Sequence, residues 1–197
     1  MDEEELKKLK DNAIKQGIPT IRTESEKVLC SLASENRPNS ILEFGTAVGL
    51  SAINLEKATG AKIVTIEKDE ERAKTARINI SKAGFENKIE VLVGDDFLIS
   101  SKMVKTRERF DFVFLDSAKG QYVNLLDNII SLLNSGGVLV ADNVLFRGFV
   151  EGETCPKRFK TIVKRLREFI DKCKNSSELT GVKILRIEDG LLVATKK

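Results

Sequence analysis

The chain contains no histidine. That absence removes Ser-His-Asp hydrolases, Cys-His proteases and every metal site built on imidazole. Acid–base chemistry must then fall to Lys, Asp, Glu, Tyr or Cys. Any metal must be held by oxygen, which favours a hard cation such as Mg²⁺. Cysteine is scarce: Cys30, Cys155 and Cys173 are an odd set without C-x-x-C spacing. This argues against a disulfide framework and against a zinc site. No apolar run approaches the roughly 20 residues that span a bilayer. The first residues, Met1-Asp2-Glu3-Glu4-Glu5, are acidic and carry no apolar h-region. They do not read as a secretory signal, and the expectation is a cytoplasmic protein with no membrane partner.

What is present fits a single domain over residues 1–197. Hydrophobic residues make up 41% and charged residues 32%, enough for one core and a solvated surface. The net charge of +3 is too small to identify a partner. Short β-branched runs at residues 40–44, 62–66, 88–92, 112–115 and 137–141 read as strands buried on both faces. Helical stretches at 51–58, 70–83 and 121–133 lie between them, the second with an acidic start and Gly84 just past its end. Strand and helix in alternation imply right-handed crossovers and a mostly parallel sheet with helices on both faces. Two further strands at 182–187 and 191–195, separated by Glu188-Asp189-Gly190, predict a terminal antiparallel hairpin. The fold class is therefore α/β and Rossmann-like, with seven strands, and residues 1–38 form a helical N-terminal cover.

Five features fall at predicted strand ends. The first is Glu43-Phe44-Gly45-Thr46-Ala47-Val48-Gly49-Leu50-Ser51, where glycines open a helix. Such a loop lets a backbone approach a ligand and lets the helix N-terminus attract an anion; it is equally an ordinary strand–helix turn. It departs from the dinucleotide pattern G-x-G-x-x-G, with Ala47 in place of the middle glycine, and so argues against a dehydrogenase. The second is Glu67, which reads as a ribose acceptor or as a capping acid; its spacing from the glycine loop favours a nucleoside. The third, Gly94-Asp95-Asp96, suits an adenine edge or a capped turn equally well. The fourth and fifth are Asp116-Ser117-Ala118-Lys119 and Asp142-Asn143. Two carboxylates and an amide oxygen at strand ends make an open Mg²⁺ site, with Lys119 beside it as a base of lowered pKa. Taken singly, each feature has an ordinary structural reading; five on one sheet edge argue for a site.

These residues resemble the metal-dependent O-methyltransferases of the catechol and caffeoyl-CoA type. The resemblance runs over nearly the whole chain. It is carried by Ile41-Leu42-Glu43-Phe44-Gly45-Thr46, Phe114-Leu115-Asp116-Ser117-Ala118-Lys119-Gly120-Gln121-Tyr122, Gly136-Gly137-Val138-Leu139-Val140-Ala141-Asp142-Asn143 and Asp189-Gly190-Leu191. It implies S-adenosylmethionine and Mg²⁺ as cofactors. By resemblance, Asp116, Asp142 and Asn143 hold the metal, and Lys119 and Asp116 are catalytic. Ile21, Glu43, Gly45, Thr46, Gly49, Ser51, Glu67, Gly94, Asp95, Asp96 and Asp116 line the cofactor. Leu50 and Asp96 depart from the group, standing where a Tyr and a small residue are common. Relatives of this kind suggest a homodimer.

Within the group, Asp142-Asn143-Val144-Leu145-Phe146-Arg147-Gly148-Phe149-Val150 is most similar to the bacterial branch that methylates 5-hydroxyuridine at the tRNA wobble position to 5-methoxyuridine. Lys119, Asn143, Phe146 and Arg147 are then substrate candidates and tRNA is the expected partner. The alternative acceptor is a catechol-like or caffeoyl-CoA-like phenol. Residues 157–174 carry Lys157, Arg158, Lys160, Lys164, Arg165, Arg167, Lys172 and Lys174 against Glu168 and Asp171. With apolar residues at helical spacing, the charges must face outward, as a phosphate footprint or as a solvated helix face.

Overall fold

A computed structural model describes residues 1–197 of the protein. It divides into two compact units, Met1–Asp96 and Phe97–Lys197. The first begins with α1 (Glu3–Lys15), whose start is fixed by a reciprocal capping box between Asp2 and Glu5. Then come α2 (Thr23–Asn36), β1 (Ser40–Phe44), α3 (Leu50–Thr59), β2 (Lys62–Glu67), α4 (Glu70–Lys82) and β3 (Ile89–Val93). Residues 1–38 are thus mainly helical, as expected. Lys10 and Asn54 both donate to the Glu26 carboxylate, at 2.8 and 2.7 Å, and tie α1 and α3 to α2. The three strands pair in parallel, Ile41 beside Ile63 and Ile63 beside Ile89. Their side chains are buried at Ile41, Leu42, Phe44, Ile63 and Ile66. This is the double burial that the near-continuous apolar runs predict.

The second unit holds α5 (Asp96–Lys105, whose first residue closes the preceding unit), β4 (Phe110–Leu115), α6 (Tyr122–Leu132), β5 (Leu133–Ala141), α7 (Lys160–Asn175), β6 (Leu179–Leu185) and β7 (Leu191–Lys196). β4 and β5 are parallel; β7 runs antiparallel to both β5 and β6. The strand order is β3-β2-β1-β4-β5-β7-β6 in one seven-stranded sheet, so the fold class and the terminal hairpin stand as expected. Val163, Leu166, Phe169, Ile170 and Cys173 form the buried stripe of α7. The Phe169 ring meets Tyr122 edge-on at 5.4 Å.

Three elements differ from the sequence expectation, each for a local reason. α5 is not foreseen, because its buried face is only Ser100 and Met103, too polar to show a helical period. A side-chain amide holds it instead: Asn128 on α6 donates to Ser100 and Ser101 at 2.9 and 3.0 Å. β5 begins four residues early, at Leu133, because the strand takes in Gly136 at a positive φ of 80°. A Cβ on Gly137 would meet the carbonyls of Asn134 and Asp111 at 2.9 and 3.1 Å, so that position demands glycine. β6 also lies earlier than expected and carries an irregularity between Thr180 and Lys183, where Gly181 has φ 62°.

Asp69 caps α4, its Oδ1 accepting the amides of Glu71 and Arg72 at 3.0 Å each. Asp69→Ala should lower stability by about 1 kcal/mol, read as a shifted urea midpoint at unchanged slope.

Candidate active site

Within the first unit, the segment after β1 alternates between ordinary and left-handed backbone: Gly45 has φ 99°, Ala47 φ 48° and Gly49 φ 86°. Gly45 and Thr46 both donate their amides to the Ile66 carbonyl, at 2.9 and 3.1 Å. Below them runs a line of hydroxyls. Thr65 donates to Glu43 Oε2 at 2.6 Å, so its own oxygen is left to accept from Thr46 at 2.7 Å. Ser51 donates to Glu43 Oε1 at 2.5 Å. Glu43 and Thr46 are fully enclosed, with exposures of 0% and 1%. Their side chains shape the loop from beneath.

Glu67 ends β2 and is also buried. Its Oε2 accepts the Ala47 amide at 2.8 Å and its Oε1 accepts the Asp69 amide at 2.9 Å. The capping task that competes for Glu67 in the sequence belongs to Asp69. The Gly94 amide donates to the Glu67 carbonyl at 2.9 Å, so the glycine loop, Glu67 and Gly94 are brought together at the carboxyl ends of β1, β2 and β3. Each Glu67 oxygen keeps a second lone pair for a ligand hydroxyl. Asp95 is half-buried and lies 3.6 Å from Lys68, Asp96 opens α5, and Ile21 is buried ahead of α2. Val48 offers its carbonyl to Asn79 on α4 at 2.9 Å, and Gly49 lies against Ala76 of the same helix. The loop is therefore anchored from three sides around a non-glycine residue in a left-handed conformation.

Within the second unit, Asp116 follows β4 and Asp142-Asn143 follow β5. Lys119 lies on a single helical turn before α6 and donates to Asp116 Oδ1 at 2.5 Å and to the Tyr122 hydroxyl at 2.9 Å. That hydroxyl in turn faces the carbonyls of Leu115 and Asp142 at 3.0 and 3.1 Å, sharing its one proton between them. Tyr122 therefore joins both strand ends and the lysine. It is the only tyrosine in the chain, completely buried. Its place in the Asp-x-x-Lys-x-x-Tyr spacing is the signal that could have singled it out.

The electrostatics of this cluster are unbalanced. Asp142 is 1% exposed, and its Oδ1 has no hydrogen-bond partner; nor has the buried Ser117 hydroxyl. Burial first, and then the charge of Asp116, push the Asp142 carboxyl from 3.8 up to about 7. A folded-state value above the unfolded one means the folded protein binds more protons across that window. The stability this contributes is full below about pH 4 and is lost as the pH rises through about 7. An orphaned carboxylate oxygen, a second carboxylate and the Asn143 amide form an all-oxygen donor set suited to a hard divalent cation. No group of three or more His, Cys, Asp or Glu gathers anywhere in the chain, so two acids and one amide are the donors on offer.

Burial alone would lower the pKa of Lys119, but the Asp116 carboxylate and the Tyr122 hydroxyl outweigh it and raise the value above the ordinary lysine range. With these neighbours the Lys119 amine is held as an ammonium that donates to both. The segment after Asn143 carries Phe146 and Arg147. The Phe146 ring meets Phe149 at 6.5 Å and Phe159 at 5.3 Å. The guanidinium groups of Arg147 and Arg158 lie 5.6 and 4.6 Å from the Phe159 ring. Of the eight basic residues over 157–174, Arg165 is engaged with the Gly120 carbonyl and Arg167 with three loop carbonyls, which reduces the expected phosphate footprint.

The model of a family described as O-methyltransferase matches residues 1–197. A catechol O-methyltransferase of Mycobacterium tuberculosis is 32% identical over 136 residues, covering 68% of this chain and 61% of that protein; the chain thus spans about three-fifths of that relative. An O-methyltransferase from Bacillus cereus, solved in complex with SAH, superposes with TM-score 0.89 at 25% identity, covering 100% of this chain and 92% of the other. TomG of Streptomyces achromogenes, an O-methyltransferase involved in tomaymycin synthesis solved in complex with SAM, gives TM-score 0.85 at 26% identity, covering 100% and 91%.

Tyr122→Phe keeps the ring against Phe169 but removes the hydroxyl between the two strand ends. It should cost about 1–2 kcal/mol in denaturant unfolding. Ala47→Gly should act oppositely, stabilising by about 1 kcal/mol as the left-handed strain is relieved, measured the same way.

Proposed function

Because the chain belongs to the O-methyltransferase family, we propose that it transfers the methyl group of S-adenosylmethionine to a hydroxyl flanked by a second oxygen. A divalent cation, Mg²⁺, assists, and the acceptor is 5-hydroxyuridine at the tRNA wobble position. The observation that carries this reading is the buried Asp142 carboxylate, with its orphaned oxygen, beside the half-buried Asp116 carboxylate.

In this reading the glycine loop amides and Ser51 receive the methionine end of the cofactor, Glu67 the ribose hydroxyls, and the Gly94-Asp95-Asp96 turn the adenine edge. Asp116, Asp142 and Asn143 hold the cation. When bound, it supplies Lewis acidity that lowers the pKa of the acceptor hydroxyl and fixes two neighbouring oxygens. A 5-hydroxyuracil presents O5 beside O4, as a catechol presents its two hydroxyls. The O–CH₃ bond forms as the S–CH₃ bond breaks. Sulfur keeps the electron pair and leaves as S-adenosylhomocysteine, while the hydroxyl proton passes to solvent. Lys119, held charged by Asp116 and Tyr122, donates toward the developing oxyanion and fixes the Asp116 carboxylate. The tRNA acceptor is supported by the half-buried Phe146, Phe149 and Phe159 with Arg147 and Arg158 on the Phe159 ring. Aromatic faces bordered by guanidinium groups suit a splayed base and its phosphates. The likeness to a catechol O-methyltransferase favours a second acceptor, a small catechol-like phenol.

The test is methyl transfer from labelled cofactor, with Mg²⁺, to bulk tRNA bearing 5-hydroxyuridine and separately to catechol. Label in tRNA is expected, lost on chelation and reduced ~100-fold or more in Asp142→Asn. Label in catechol alone would overturn the tRNA acceptor. Full activity in chelator would overturn the cation.

A further inference from the structure

We infer that Arg167 is a positioning residue that sets the shape of the acceptor loop, residues 143–152, and through it the affinity for acceptor. The inference rests on reading Asp142 and Asn143 as the acceptor end of the site. The loop leaves β5 in an unfavourable conformation: Asn143 has φ 56°, Phe146 φ 43°, Arg147 φ 58° and Gly148 φ 76°. Three of these four carry a Cβ, which the left-handed region disfavours, most strongly at Phe146 and Arg147. Strain of this kind persists only where the surroundings over-determine the backbone.

Two holds are visible. The β6–β7 turn grips the first half: Val144 donates to the Gly190 carbonyl at 3.1 Å, Leu145 to the Asp189 carbonyl at 2.8 Å, and the Arg147 amide to Asp189 Oδ1 at 3.2 Å. The second half is gripped by Arg167, with an exposed ion pair from Arg186 to Glu151 at 2.8 Å beside it. Arg167 donates from Nε to the Val150 carbonyl at 2.8 Å, and from Nη2 to the carbonyls of Phe149 at 3.2 Å and Gly152 at 2.7 Å. Three carbonyls converge on a planar fork, a geometry that the single point charge of lysine does not reproduce. The post carrying this fork is firm, because Leu166, Phe169 and Ile170 on either side of it are buried. Phe149 in turn stacks on Phe159 at 5.8 Å and lies 6.5 Å from Phe146. Where Arg167 places the Phe149 backbone, the rings of the acceptor segment follow. Arg167 is thereby committed to the loop rather than to a phosphate.

The test compares Arg167→Ala and Arg167→Lys with wild type. The acceptor KM should rise roughly 10-fold in Arg167→Ala and less in Arg167→Lys, while kcat and the cofactor Kd change less than about 2-fold. In parallel, hydrogen exchange at Phe149, Val150 and Gly152, whose amides bond within the loop, should accelerate with the rest of the chain unchanged. An unchanged acceptor KM in Arg167→Ala would overturn the inference. So would acceptor KM and cofactor Kd worsening together, the mark of a general loss of structure. Should wild type transfer methyl to neither acceptor, the functional reading fails, and exchange alone decides: unchanged protection of those three amides would sink the role of Arg167.

Discussion

The interaction on which the second unit turns is the repulsion between two carboxylates that close-packed strand ends force together. Asp116 and Asp142 each follow a parallel strand, and β4 and β5 are paired up to Leu115 and Ala141. The Asp142 amide donates to the Leu115 carbonyl at 3.0 Å, so the backbone itself brings the acids side by side. Burial does the rest, leaving one carboxylate oxygen without a partner. A fold does not keep such a pair for stability, because a well-packed apolar pair would be at least as stable. The lysine and the tyrosine answer part of the charge; in the proposed reading a cation answers the remainder.

Backbone strain gathers in the same places. Seven non-glycine residues have positive φ; Ala47, Asn143, Phe146 and Arg147 are four of them, all on candidate-site segments. In the first unit the strain at Ala47 is held by Glu67, whose carboxylate takes the loop amide. In the second the hold comes from the β6–β7 turn and α7. Both loops are thereby shaped in advance of any ligand, which lowers the ordering cost of binding.

Much of this was legible in the sequence because it depends on chain order. Apolar runs located β1 to β5, and the Asp189-Gly190 pair marked the terminal hairpin. The residues at strand ends could be named because parallel strands bring their carboxyl ends to one edge. α5 escaped because a serine and a methionine are its only buried residues. The support that Glu43 and Thr46 give the loop is not legible, because a hydrogen-bonded line through Thr65 on a neighbouring strand leaves no trace in local spacing. The charge of Lys119 depends on the Asp116 carboxylate and the Tyr122 hydroxyl, which only the packed cluster brings into contact with it. Arg165 and Arg167 looked like free surface charge until the carbonyls they serve came into view, from segments far away in sequence.

The central claim is that the Asp116–Asp142 pair is a cation site, and proton linkage during Mg²⁺ binding tests it most directly. Calorimetric titrations in buffers of different ionisation enthalpy count the protons released. With Asp142 titrating at about 7, close to one proton should leave per cation bound at about pH 6 and almost none at about pH 8, with tighter binding at the higher pH. Binding that releases no proton at either pH, or no binding at all, would contradict the account.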